Sequence, residues 1–186
     1  VNLGPIVNSP SIDTAPSISS DGLEFYFASN RSGGYGAGDL YVSTRATTDS
    51  DWGIPMNLGP TINGSSADYW PFIASDGHTL FFASDSFGPW SPGGLGSSDI
   101  WLTTKQTSER NPEDYWGTPI NLGPIINSPS EDCAPVLSLD GTTLYWDSKR
   151  PGGLGSADIW QAAIIPIVDL NADGIVDSVD MCIMVD

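Results

Sequence analysis

The sequence predicts an all-β fold of three repeated four-stranded units, followed by a short calcium-loop segment. Three observations carry this. One stretch of sequence recurs three times in phase; turn formers are abundant while charge is sparse; and aromatic residues return at fixed places in each copy. The chain has 186 residues, with 21 Gly and 15 Pro but only 16% charged residues. Such a composition suits short strands joined by tight turns rather than helices. Seven Trp, six Tyr and six Phe provide enough apolar bulk for a core, which argues against disorder.

The repeat is read directly from three segments: "NLGPIVNSPSIDTAPSISSDG" (2–22), "NLGPTINGSSADYWPFIASDG" (57–77) and "NLGPIINSPSEDCAPVLSLDG" (121–141). Asn2 to Asp13, Asn57 to Asp68 and Asn121 to Asp132 each span 11 residues. Each copy continues into an apolar strand ("LEFYFAS", "TLFFAS", "TLYWDS"), then a Gly-rich turn, then "GDLYVSTR", "SDIWLTTK" or "ADIWQAA". The steps between copies are 55 and 64 residues. The longer step arises from five extra residues between Ser84 and Trp101 and four between Lys105 and Trp116, both in connections. The Asp-Gly pairs Asp21-Gly22, Asp76-Gly77 and Asp140-Gly141 fall between the second and third strands, where a hairpin needs positive φ.

Four strands at this period are expected of a β-propeller blade. The pattern D-x-x-P-x-I-S-x-D-G-x-x-L-Y-F-x-S-x-R-x-G-G-x-G-x-x-D-I-W resembles the WD40-like repeats called PD40, similar to those of TolB-type propellers and cell-envelope proteins. The resemblance covers residues 1 to about 163. It implies three blades, at about 1–45, 52–105 and 116–163, a linker at 164–168 and a tail at 169–186. Three blades are fewer than the roughly four to eight of a propeller ring. Further blades, a second chain or a larger assembly would have to complete it. "VNLG" at the start is placed to pair beside the closing "DIW" strand.

Charge narrows the partners. Twenty-three acidic residues against six basic ones give a net charge of −17. Nucleic acid and anionic membrane surfaces, which need clustered Lys and Arg, are not expected partners. Divalent cations suit the charge. No stretch reaches the roughly 20 apolar residues of a membrane span, since "AAIIPIV" is short and broken by Pro166. A secreted or cell-surface bacterial location is expected, with the chain trimmed from a longer precursor. Cys133 and Cys182 either form one disulfide or remain thiols.

Catalysis is not expected. Asp13, Asp68 and Asp132, then Asp21, Asp76 and Asp140, then Asp39, Asp99 and Asp158 each recur once per unit, which suits carboxylates that cap turns. His78, the one histidine, follows a turn where the other copies carry Leu23 and Thr142. The alternative is a non-catalytic piece of a larger hydrolase or a glycoside hydrolase using an acid pair. Trp52 and Trp116, like Tyr41, Trp101 and Trp160, recur and are assigned to packing. Trp70 and Trp90 break the repeat, and with Tyr69 they form the candidate ligand-binding set, suited to stacking on a sugar.

"DLNADGIVDSVD" (169–180) matches the calcium-loop pattern D-x-[DN]-x-[DN]-G. Asp169, Asn171 and Asp173 take positions 1, 3 and 5, and Gly174 supplies the sharp turn. The backbone carbonyl of Ile175 takes position 7, with Asp177 and Asp180 at positions 9 and 12. Hard oxygens alternating along one loop are what Ca2+ requires. Asp at position 12 resembles dockerin modules more than EF-hands, and "MCIMVD" is expected to open the following helix. Taken together, these residues predict a non-catalytic binding or assembly scaffold with a Ca2+-stabilised docking tail. Its partners would be a protein, its own copies through open blade edges or the tail, or carbohydrate if the propeller acts as a lectin.

Overall fold

The computed structural model describes residues 1–85, 94–106, 115–166 and 181–183. It contains three four-stranded antiparallel sheets. The first comprises β1 (Asp13–Ile18), β2 (Glu24–Ser29), β3 (Asp39–Thr44) and β4 (Met56–Asn57). The second comprises β5 (Asp68–Ile73), β6 (Thr79–Asp85), β7 (Ser98–Thr104) and β8 (Ile120–Asn121). The third comprises β9 (Asp132–Leu137), β10 (Thr143–Ser148), β11 (Asp158–Pro166) and β12 (Met181–Ile183). Each sheet runs from an inner to an outer strand in chain order. One short helix, α1 (Gly123–Ile126), lies within the third NLGP segment.

The hairpins form where the Asp-Gly pairs predict. Gly22, Gly77 and Gly141 adopt φ of 73°, 69° and 73°, a region glycine enters without a Cβ clash. Asp21, Asp76 and Asp140 each accept backbone N–H bonds from the residues just after the turn. His78 is exposed at the second of these turns, as its position in the repeat suggests.

The outer strands depart from the sequence expectations in three ways. The short strands that open the second and third NLGP segments, Met56–Asn57 and Ile120–Asn121, pair with the preceding sheet, through Tyr41↔Asn57 and Trp101↔Asn121. The sheet is thus offset by one strand from the repeat as it is written in sequence. In the third sheet this outer place is taken further along, by Met181–Ile183 against Ile164–Pro166. Residues 1–4 form no strand, so "VNLG" does not close the ring within its own chain. Met181–Ile183, expected to open a helix, is extended instead. Its backbone satisfies N–H and C=O groups on the open edge of β11, which a helix there would leave unpaired.

The strand order also decides the cysteines. Cys133 lies on inner β9 and Cys182 on outer β12, three strand spacings apart, or about 14 Å. A disulfide needs Cα atoms within about 7 Å. Cys133 is a free, buried thiol, and burial raises its pKa to about 12.

The sheets stack face to face. The back of the first (Tyr26, Ala28, Leu40, Val42) packs on Ile73, Leu80, Phe82 and Trp101 of the second. In the same way, Phe81, Ile100 and Leu102 of the second pack on Leu144, Trp146 and Ile164 of the third. Leu40 and Ile100, at equivalent places, are both fully buried. Each such side chain contributes about 1.5–3 kcal/mol. The apolar cores thus lie between blades, and every blade needs neighbours on both faces.

Candidate ligand cleft

The inner strands meet side by side, β1 against β5 and β5 against β9. In each, the residue before proline takes an unusual left-handed conformation: Ala15 at φ 51°, Trp70 at φ 51° and Ala134 at φ 53°. The ladder shifts register there, between Thr14 and Ser17 and between Tyr69 and Phe72. A bulge of this kind re-aims the side chain that it carries. In the outer two blades that side chain is a methyl group, and in the middle blade it is the Trp70 indole. For so bulky a residue the conformation costs roughly 1–3 kcal/mol, which surrounding structure must hold in place.

Trp70 borders a cleft of about 290 Å³ between the first two blades. Ile12, Thr14 and Asn30 line one side, and Asp68, Tyr69 and Trp70 the other. Tyr69 and Trp70 meet edge to face with centroids 4.6 Å apart. The Tyr69 hydroxyl donates to Asp85 Oδ1 and lies 3.1 Å from Ser98 Oγ. Burial, followed by the carboxylate of Asp85, pushes the Tyr69 pKa up, so the phenol stays neutral and rigidly held. An apolar wall with a fixed aromatic pair and a few polar atoms is a normal ligand-site composition.

The three D-x-x-P aspartates diverge here. Asp13 accepts from Ser9 N–H at 2.7 Å and Arg31 Nη2 at 2.6 Å, while Asp132 accepts from Ser128 N–H at 2.5 Å and Arg150 Nη2 at 2.8 Å. Both guanidiniums also lie over aromatic rings, Arg31 on Phe27 and Tyr41 and Arg150 on Trp146 and Trp160. At Asp13 burial raises the pKa, but the bonds from Ser29, Arg31 and Ser9 outweigh it and the net direction is down. In the middle blade the sequence has Ser86 where the arginine stands. Asp68, only 1% exposed, keeps the Gly64 N–H bond at 2.6 Å, but its Oδ1 has no hydrogen-bond partner among the described residues. Burial drives its pKa up to about 7 against the pull of Ser84 and Gly64.

The "DIW" aspartates hold the blades together. Asp39 accepts from Tyr35 N–H, Gly36 N–H and Asn57 Nδ2, and Asp99 from Leu95 N–H and Asn121 Nδ2. Asp158 accepts from Gly155 N–H, with no asparagine beside it among the described residues. These acids act as structural carboxylates, matching the expectation from their recurrence. No group of three or more His, Cys, Asp or Glu among the described residues is arranged to hold a metal.

Of the ligand-binding set, Tyr69 and Trp70 are brought together, whereas Trp90 lies outside the described residues. Asp169, Asn171, Asp173, Ile175, Asp177 and Asp180 lie outside them as well. Sequence reasoning missed Asp68 and Asn30 as cleft neighbours of Trp70 and Asp85 as the partner of Tyr69. The one available signal was the loss of arginine at Ser86, which removes the partner of a buried acid.

Fold and cleft define a propeller-like all-β protein built of stacked blades, with a pocket where inner strands meet. Among solved structures it is similar to an α-L-arabinofuranosidase from Lactobacillus brevis, with a TM-score of 0.55 and 16% identity over 86% of this chain and 50% of that one. It is also similar to TolB from Acinetobacter baumannii, with a TM-score of 0.49 and 21% identity over 88% of this chain and 31% of that one. The chain therefore spans half or less of the length of either. No family model and no curated protein sequence matches it. No helix among the described residues is long and apolar enough to cross a membrane.

Proposed function

We propose that the chain is a non-catalytic binding and assembly scaffold, secreted or held at a bacterial cell surface, whose tail is stabilised by Ca2+. One observation carries the reading: outside Asp68, the repeated carboxylates Asp13, Asp39, Asp99 and Asp132 are engaged in turn, arginine and asparagine contacts from blade to blade. A glycosidase acid pair would need two carboxyls free to face a bond, at about 5–5.5 Å or 6.5–9.5 Å. Asp13 and Asp132 are bound by arginine, and Asp39 and Asp99 by asparagine. The scaffold reading is tested with a panel of aryl glycosides, arabinofuranosides included. No release of aglycone is expected, and turnover that disappears on changing one carboxylate would sink the reading.

The Ca2+ part rests on the ligand pattern of residues 169–180. In the sequence these residues fall between β11 and β12, the strand pair at the outer edge of the third blade. Metal bound there would fix that connection.

A second reading, carbohydrate binding, is favoured by the cleft itself. Trp70 is held in a strained conformation beside Tyr69, facing about 290 Å³ of space. Glycan-array binding that is lost in Trp70→Ala supports it, and an array with no signal above background rejects it.

A further inference from the structure

Ile12, Ala28 and the Trp70 indole give the cleft between the first two blades its apolar walls. Most of the polar side chains that line it already spend their hydrogen bonds within the protein. Ser29 Oγ accepts from Arg31 N–H at 3.2 Å and from Arg31 Nε at 3.0 Å. Asn30 Oδ1 accepts from Ile12 N–H at 2.9 Å. The Tyr69 hydroxyl turns to Asp85 and Ser98, and Asp68 Oδ2 holds the Gly64 N–H. Besides the buried Oδ1 of Asp68, two polar groups remain: the Thr14 hydroxyl and Asn30 Nδ2, neither with a partner among the described residues.

At about 290 Å³ the cleft sits at the lower end of the roughly 300–1,000 Å³ usual for ligand pockets, and a cavity of about 150 Å³ already holds a benzene ring. There is room for one six-membered ring with its substituents, not for a chain of them. Such a ring needs a C–H face for the indole and Ile12, and hydroxyls for Thr14 and Asn30. A wholly apolar ligand would cover both polar groups without partnering them. The surroundings also set the charge. Asp68 lines the cleft and Asp85 holds Tyr69 in it, while none of the described lining residues is basic. Arg31, which reaches Ser29, has its charge matched by Asp13 at 2.6 Å. A carboxylate brought into this cleft meets like charge.

We infer that the cleft takes a single uncharged sugar ring, the terminal residue of a glycan or glycoside. Its C–H face lies on Trp70, two of its hydroxyls bond the Thr14 hydroxyl and Asn30 Nδ2, and the nearby carboxylates exclude acidic sugars. The left-handed backbone at Trp70 sets the indole against Tyr69, with the ring planes at 82° and the centroids 4.6 Å apart. That wall is in place before a ligand arrives, which lowers the ordering cost of binding. Of the three inner-strand bulges only this one carries a platform, since the other two carry Ala15 and Ala134. The inference rests on the carbohydrate reading and names the class of sugar and the residues that select it.

Titration calorimetry of the full chain with matched methyl pyranosides tests it: glucoside against glucuronide, galactoside against galacturonide, mannoside against mannuronide. The members of a pair differ only in the carboxylate at C6. At least one neutral member is expected to bind, at least about 10-fold tighter than its acidic match. Thr14→Val removes the hydroxyl and keeps the branched shape, while Asn30→Asp keeps the acceptor for Ile12 N–H and removes the Nδ2 donors. Both positions are exposed, so both variants fold, as melting curves verify. Each weakens binding of the neutral sugar at least about fivefold, and Trp70→Ala abolishes it. An acidic sugar bound as tightly as its neutral match, or full affinity in either variant, overturns the inference and leaves the carbohydrate reading standing. Silence across the whole panel at millimolar sugar, in calorimetry and in ligand-observed NMR alike, overturns both.

Discussion

Asp68→Asn isolates the one D-x-x-P carboxyl that lost its arginine. Burial drives its pKa from 3.8 up to about 7, so the folded protein holds a proton that the unfolded chain has released between those values. With more protons bound in the folded state, stability falls as pH rises through this window and levels off above about 7. At about 1.36 kcal/mol per unit, the full displacement corresponds to about 4 kcal/mol, an upper bound because water entering the adjoining cleft relieves part of it. Asparagine removes the charge while its Oδ1 can still accept from Gly64 N–H. Thermal and urea melts of both proteins from pH 4 to pH 8 read the difference. The variant is expected to match the wild type within a small constant offset near pH 4 and to exceed it increasingly toward pH 8. At about 2–4 °C per kcal/mol for a chain of this size, the gain is several degrees and at most about 16 °C. A difference that does not vary with pH, or a wild type that gains on the variant toward pH 8, would refute the reasoning. Either would mean that Asp68 is ionised and matched by a cation.

Other perturbations read the remaining contacts. Arg150→Met strands the fully buried Asp132, with a loss of about 3 kcal/mol and roughly 6–12 °C in the melting midpoint. Adding Asp132→Asn should recover part of it, and a neutral single variant would contradict the assigned pair. Asn127→Ala leaves the buried Ile100 N–H without its partner and the Ile100 C=O with the longer Leu122 N–H bond, at about 1–3 kcal/mol in a urea titration. Asn8→Ala removes an exposed bond to Asn2 and costs under about 1 kcal/mol. A cost for Asn8→Ala equal to that of Asn127→Ala would contradict the weight given to the Ile100 bonds. For the tail, calorimetry in Ca2+ at about 100 times the dissociation constant should show about 2.7 kcal/mol of added stability, absent in EDTA and in Asp173→Ala. An unchanged midpoint would remove Ca2+ from the proposal.

The repeated spacing from NLGP to the Asp-Gly turn made the strands, hairpins and blade type legible without coordinates. Those features are local, and glycine φ and two-residue periodicity dictate them over a few positions. The structural role of the recurring acids was legible too, because a group needed in every blade is a group that builds the blade. The outer strands were misassigned because an edge is filled by whichever segment reaches it. Met181–Ile183 and the NLG strands have no pattern that says which sheet they join. Asp68 and the cleft were hidden for a related reason: a missing partner, Ser86 in place of arginine, leaves no mark at the aspartate itself.

The sequence by itself determined three blades, their turns, the odd tryptophan at position 70 and the calcium-loop pattern of the tail. Only the tertiary structure decided that Asn63 and Asn127 grip the backbone of Leu40 and Ile100, the same joint made twice inside the chain. It also separated Cys133 from Cys182 by the width of a sheet and put Trp70 beside a buried acid whose Oδ1 has no partner among the described residues. The physical reason is that blade-to-blade contacts join residues some 25 positions apart through backbone groups, which carry no signature in the amino-acid alphabet.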